Sequence, residues 1–303
     1  MAIDFSKLLS QIESVTSKKT YTDNSDQYWK PTKDKAGNAS AVIRFLPNKD
    51  EDEFPFVRIF SHSFKNKATG KWYIENSLST IGGQDYIGTI NQALWASGSE
   101  EDKELCRLQK RKLQYVSNIY IEKDLGNPEN NGKVLKYKYG AKIFEKIHNA
   151  AKGDKELGEA AVNAFDVEGG ASFLLKMQKA NEQFNYDASK FANPRALCDG
   201  DEDKINEILA QCFNLNLEIA PDQFKTEAEL KDKYEWVVGI KKNGKAAPTE
   251  PQDDNDELEA LSKLIEQSPK TSPKTTRKPP PMPAKTNDDD DSEAAFFNSL
   301  ISD

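Results

Sequence analysis

The sequence predicts an α+β fold: an OB-fold-like β-barrel core with helices appended late, followed by a disordered acidic C-terminal tail. Three observations carry this prediction. Short β-type runs separated by turn residues fill the stretch from Trp29 to Ile121. Apolar residues at helical spacing resume only after it. From residue 246 the composition changes abruptly.

The elements follow in order. Phe5, Leu8, Leu9, Ile12 and Val15 fall at helical spacing behind a cap at Asp4, which predicts a short amphipathic helix over 4–15. Lys18-Lys19-Thr20-Tyr21-Thr22-Asp23-Asn24 reads as a polar linker. Val42-Ile43-Arg44-Phe45-Leu46 stops at Pro47, Phe56-Val57-Arg58-Ile59-Phe60 alternates, and Lys71-Trp72-Tyr73-Ile74 follows an Ala68-Thr69-Gly70 turn. Such spacing is that of a barrel or sandwich. The strongest hairpin spans 112–139, with arms Leu113–Ile121 and Lys133–Tyr139 around a connection rich in Gly, Pro and Asn. Ile143, Phe144 and Ile147 then predict a helix, Phe173–Met177 a strand, and Ile205, Ile208, Leu209 and Cys212 a further helix. Leu230 and Tyr234 mark the last one. Three segments result: 1–20 as an arm, 21–244 as the core, and 245–303 as spacer and tail.

Charge is divided in the same way. Residues 246–303 hold thirteen acidic and six basic residues, so −7 of the formal −8 lies there, with only Phe296 and Phe297 of the aromatics. The pI therefore does not argue against an anionic partner for the nearly neutral body. Residues 268–287 carry six prolines and five Lys/Arg, an extended spacer. Asp288-Asp289-Asp290-Asp291 then precede Phe296 and Phe297, a polyanion followed by an apolar anchor. No apolar run is long enough to span a membrane, and the start lacks the pattern of a secretory signal. Cys106, Cys198 and Cys212, odd in number and far apart, predict no disulfide framework and a reducing compartment. No clustered carboxylates, Ser/His/Asp arrangement or phosphate loop points to an enzyme.

The chemistry concentrates in residues 103–142, which hold ten Lys/Arg and four Asp/Glu. A phosphate nearby feels this local excess rather than a distant tail, because the Debye length at physiological salt is roughly 8 Å. Lys110-Arg111-Lys112 is its densest point. Tyr115, Tyr120, Tyr137 and Tyr139 are interleaved with the cations, and strand alternation sends Tyr137 and Tyr139 to one face and Lys136 and Lys138 to the other. Tyrosines stack on bases for about 1–3 kcal/mol each without reading sequence, while Lys and Arg track phosphates. The same pattern also suits a half-buried hairpin with ordinary cross-strand tyrosine packing and a solvated lysine face. The pattern alone leaves both open. Phe184 and Tyr186 sit in a second polar stretch, where a small satellite core is the alternative.

At this point a resemblance becomes visible. Ala41–Pro47, Lys71–Glu75, Lys110–Lys112, Asn127–Val134, Lys136–Gly140, Phe173–Lys176 and Asn185–Phe191 occur in order and with similar spacing. Together they resemble the single-stranded DNA-binding protein family of T-even-type bacteriophages, over roughly residues 28–240. The resemblance implies an OB-fold core that coats single-stranded DNA in replication, recombination and repair, in the cytoplasm of the infected bacterial host. It implies Lys110, Arg111, Lys112, Lys136 and Lys138 at phosphates and Tyr115, Tyr137, Tyr139, Phe184 and Tyr186 as the stacking platform. Further implied partners are a second copy along the strand and phage replication proteins (polymerase, helicase or helicase loader). The latter would be read by Asp288–Asp291, Phe296 and Phe297. The protein's own message is a further implied target, and RNA binding with translational repression, or a non-catalytic scaffold role, is the rival reading.

Two departures stand against the family pattern. The family holds a structural zinc through one His and three Cys. Here His62 occupies the histidine position, Ser77 stands where the first cysteine would be, and 81–92 contain neither Cys nor His. Tetrahedral zinc needs four ligands, so no zinc and no other cofactor is expected. His62 is then expected as a surface or capping residue, with Ile81, Tyr86 and Ile87 as an apolar plug. The family's basic N-terminal run is also missing, which leaves Lys18 and Lys19 or the amphipathic helix for self-association. Leu113-Gln114 replaces the hydroxyl residues expected after Lys112.

Overall fold

A computed structural model describes residues 24–240 apart from 51, 155, 157, 181 and 182. The expected helix over 4–15, Lys18, Lys19, the proline-rich spacer, Asp288–Asp291, Phe296 and Phe297 lie outside the described residues. Within them the chain is α+β, as the residue patterns predict.

Strand β5 (Lys112–Asp124) organises the sheet. Its first half pairs antiparallel with β3 (Val57–Lys65), its second half with β2 (Ala39–Phe45), and its other edge with β6 (Val134–Gly140). One long strand serving three partners has to bend, and the register of β2 against β5 slips between Val42 and Ile43. The sheet extends from β2 to β7 (Phe173–Ala180), which carries β8 (Gln183–Asn185) and β9 (Lys190–Phe191). At the opposite side β1 (Tyr28–Trp29) runs parallel to β6, and β4 (Trp72–Asn76) completes a hairpin with β3. Among the described residues this makes a nine-stranded sheet that does not close.

Two helices interrupt the stretch expected to be all strand. Helices α1 (Tyr86–Ala96) and α2 (Glu100–Leu108) connect β4 to β5. Asp85 caps α1 by accepting from the Gly88 N–H at 3.1 Å, and three acidic residues open α2 where the helix dipole favours them. Their apolar faces are narrow, with Ile87 and Cys106 the buried residues, so periodicity conceals them. Helix α3 (Ala141–Lys152) follows β6 directly and buries Ile143 and Ile147. Helices α4 (Glu202–Ala210) and α5 (Glu227–Val238) stand where the spacing of Ile205/Ile208 and Leu230/Tyr234 predicts them. A capping box between Thr226 and Glu229 starts α5, and Gly239 at φ 84° ends it in the left-handed region.

The sheet is covered on both faces. On one, Phe45 is fully buried and meets Tyr139, Phe165, Phe173 and Phe191 at centroid distances of 5.6–6.3 Å. On the other, Leu46, Val134, Leu197, Ile205, Ile208 and Cys212 form a cluster that seats α4. Further clusters seat the 215–219 turn on Val57, Ile59 and Val116, and unite the β3–β4 hairpin with α1 and α5 through Phe64, Tyr73, Ile87, Tyr234 and Val237.

Candidate nucleic-acid interface

The dense basic triplet is at the surface. Lys110, Arg111 and Lys112 are exposed where α2 hands over to β5. Arg111 is held in place: its guanidinium lies 4.2 Å from the Phe60 ring centroid, donates to Ser79 Oγ at 3.0 Å, and sits 3.9 Å from an Asp85 carboxylate oxygen. A stacked guanidinium keeps its edge free to fork onto phosphate oxygens, and the ring beneath it limits its rotamers. Phe60 was legible as a strand residue, but its place under Arg111 follows from the pairing of β3 with β5. Arg58 is likewise brought opposite Tyr115 by that pairing, partly exposed.

Strand alternation in β6 is as expected, with Tyr137 and Tyr139 on one face and Lys136 and Lys138 on the other. The consequence differs from an open stacking platform. Tyr115, Tyr137 and Tyr139 are 2%, 3% and 3% exposed. Their rings form a continuous column: Trp29 meets Tyr137 edge-on at 5.0 Å, Tyr137 meets Tyr139 at 5.5 Å, and Tyr139 stacks on Tyr115 at 5.8 Å. Phe144 from α3 then lies on Tyr115 at 3.9 Å with the planes 2° apart. Helix α3 thus occupies the face a base would need. Burial pushes the Tyr139 phenol well above its ordinary range, with a hydrogen bond to Ser117 at 2.9 Å opposing the shift. These three tyrosines are core residues here, the ordinary cross-strand packing that the pattern had left open.

The two lysines also part company. Lys138 is exposed, 5.4 Å from the Tyr28 ring centroid. Lys136 is 3% exposed and cannot meet a phosphate in this arrangement. Its ammonium is ion-paired with Glu218 and lies 4.5 Å from the Tyr28 and 5.2 Å from the Phe213 ring centroids, while Tyr28 Oη donates to the same carboxylate. Burial and then Glu218 push the Tyr28 phenol upward. The 215–219 turn, invisible to strand periodicity, closes this cage over β6.

Phe184 and Tyr186 are half-buried at the far edge of the sheet. Lys33 Nζ lies 4.2 Å from the Phe184 centroid, and Tyr186 Oη donates to Met177 Sδ at 3.3 Å. Exposed Lys179 stands opposite Phe184 in the pairing of β7 with β8, so this edge keeps both aromatic and basic character.

His62 departs furthest from expectation. It is 3% exposed rather than at the surface. Its Nδ1 meets the Gln109 carbonyl oxygen at 2.8 Å, and its Nε2 meets Asp85 Oδ1 and Oδ2 at 2.9 and 3.1 Å. Burial pushes the Asp85 carboxyl upward, but the His62 and Gly88 hydrogen bonds and the Arg111 charge outweigh it and leave it below its usual range. Of the expected plug, Ile87 is buried and Tyr86 packs edge-on to Tyr234 at 5.8 Å, whereas Ile81 is 36% exposed. No helix among the described residues is long and apolar enough to cross a membrane.

Comparison with known proteins places the chain in a family. A family model described as gp32 DNA binding protein like matches residues 37–238. The single-stranded DNA-binding protein of Enterobacteria phage T4 is 36% identical over 244 residues, covering 80% of this chain and 80% of that protein. Its counterpart in Enterobacteria phage T2 is 39% identical over 222 residues, covering 73% of each. That of Enterobacteria phage RB70 is 41% identical over 87 residues, 29% of this chain and 73% of that protein. All three relatives are named for binding single-stranded DNA. The matched region contains β2 to α5, the basic triplet and the Phe184–Tyr186 edge, and the chain belongs to the gp32 DNA binding protein like family.

Proposed function

We propose that the chain is a sequence-tolerant single-stranded DNA-binding protein that coats the strand during viral DNA replication, recombination and repair in the infected bacterial cytoplasm. The observation carrying this is membership of a DNA-binding family across the whole segment that bears the exposed Lys110–Lys112 triplet. We read the bent sheet around β5 as an open OB-type barrel, with residues 1–20 as the self-association arm and 245–303 as spacer and tail. Lys110, Arg111, Lys112 and Lys138 contact phosphates. Phe184 and Tyr186, with Lys33 beside them, offer stacking surface at the sheet edge. Lys18 and Lys19 serve neighbour contacts along the strand. Asp288–Asp291, Phe296 and Phe297 recruit replication proteins, and the protein's own message is a secondary target.

The test is a titration of fluorescent oligothymidylate with the full chain, reading tyrosine and tryptophan emission at several salt concentrations. Duplex DNA and matched RNA serve as competitors. Salt-sensitive binding that prefers single-stranded DNA is expected, because neutralised phosphates release counterions. Absence of binding to single strands, or preference for duplex, refutes the reading, and preference for RNA replaces it with the message-directed role.

A further inference from the structure

His62 is buried with both ring nitrogens engaged. Among the described residues, His62 stands where three segments converge: its own strand β3, the N-cap of α1 through Asp85, and the end of α2 through the Gln109 carbonyl. Each ring nitrogen faces a protein oxygen at hydrogen-bonding distance, so neither is turned toward a metal.

The structural zinc implied by the family resemblance does not fit this surrounding. Zinc held tetrahedrally requires four nitrogen, sulfur or carboxylate ligands. His62 and Asp85 are already spent on each other, and Asp85 also caps α1. Ser77, at the position of the missing cysteine, is turned to its own segment: its Oγ lies 2.9 Å from Ser79 Oγ and accepts from the Ser79 N–H at 3.3 Å. Among the described residues no three His, Cys, Asp or Glu side chains gather as a metal site would need.

We propose that the His62–Asp85 pair is a metal-independent fastener that joins the β3–β4 hairpin to α1 and to the head of β5, the task a structural metal would otherwise perform. The same carboxylate lies 3.9 Å from Arg111, so the fastener also fixes one wall around the basic triplet. The Gln109 carbonyl ends the turn immediately before Lys110, which ties the imidazole to the backbone that carries the triplet. Ile87, two residues after Asp85, and Phe64, two residues after His62, belong to one buried cluster with Tyr73, Tyr234 and Val237. Apolar burial supplies the bulk of the adhesion, and the polar pair sets the alignment.

The experiment uses the full-length protein purified from zinc-supplemented medium. Metal content is measured directly, thermal unfolding is followed with and without a chelator, and the imidazole signals are read by nitrogen NMR. With only His62 and His148 in the chain, a His148→Gln variant assigns them. The expected results are no stoichiometric zinc, a melting temperature indifferent to chelator, and a His62 ring N–H slow to exchange. Asp85→Asn should lower the melting temperature by about 5–10 °C. It should lower it far less in a His62→Gln background, since the partner is already gone. Stoichiometric zinc with a chelator-sensitive melt overturns the proposal, as does a His62 ring with no protected N–H, or additivity of the two substitutions. The wild-type metal and NMR measurements decide the matter even if a variant fails to fold, and none of the arms depends on DNA binding.

Discussion

Lys136→Met separates a phosphate contact from a buried ion pair. The substitution keeps most of the aliphatic stem but removes the ammonium. It leaves Glu218 beside Tyr28 and Phe213, with 18% of its side chain exposed. Removing one partner of a buried pair costs about 3–5 kcal/mol, and the partial hydration of Glu218 places this case near the lower end, at about 3 kcal/mol. For a folded body of this size that corresponds to a fall of roughly 10 °C in melting temperature. Adding Glu218→Gln should restore much of the loss, because the stranded charge is then gone. Lys138→Met, on the opposite rank of exposure, should change stability by no more than about 0.5 kcal/mol. The second assay is oligothymidylate affinity against salt, measured well below the melting temperatures. Each phosphate contact contributes about 0.7 to the logarithmic salt slope of a single strand. Lys138→Met should reduce the slope by about that amount and Lys136→Met should not. A Lys136→Met protein that melts like the wild type and loses the slope would refute the buried assignment.

Arg111→Ala should weaken oligothymidylate binding and lower the salt slope by about 0.7, whereas Arg111→Lys should keep the slope while losing affinity, since lysine lacks the planar fork that stacks on Phe60. Phe144→Leu should cost about 1 kcal/mol beyond its change in buried area, read by chemical unfolding, because the parallel stack on Tyr115 is lost; a neutral result would mean the stack carries no specific energy. Burial pushes the Cys212 thiol up to about 11 from 9.0. The unfolded chain therefore gives up that proton first, and stability falls as pH rises from about 9 to 11, by about 2–3 kcal/mol from this residue. Cys212→Ala, which cannot ionise, should show a flatter stability profile over that window. Gly170→Ala should be strongly destabilising in a thermal melt, because a Cβ there would stand 2.3 Å from the Asp166 carbonyl and 2.9 Å from Arg44 Nη2, the two groups whose 2.7 Å hydrogen bond anchors the 163–170 loop to β2.

The sequence by itself determined the class of the fold and most of its regular elements. The apolar run Val42–Leu46 ended by Pro47, and alternation in Phe56–Phe60 and the 112–139 hairpin, report directly on strands, because side chains on a sheet alternate faces whatever the partner. The spacing of Ile143 and Ile147, and of Leu230 and Tyr234, reports on helices in the same local way. Helices α1 and α2 escaped it because each buries little of its own surface and is specified by caps and charge rather than by a wide apolar stripe. Alternation also placed Tyr137 and Tyr139 together, but whether that face meets solvent or α3 is a question of what comes back across it. Phe144, three residues into α3, answers it by stacking on Tyr115. The 215–219 turn answers the same question for Lys136 through Glu218, a residue 82 positions away. His62 was legible as a chemically distinctive residue, whereas no sequence pattern singled out its partner Asp85. Their meeting depends on how α1 and α2 pack back against β3. Local periodicity is set by the geometry of one element, whereas burial and pairing are set by which distant segment covers it, and that is decided by the tertiary structure.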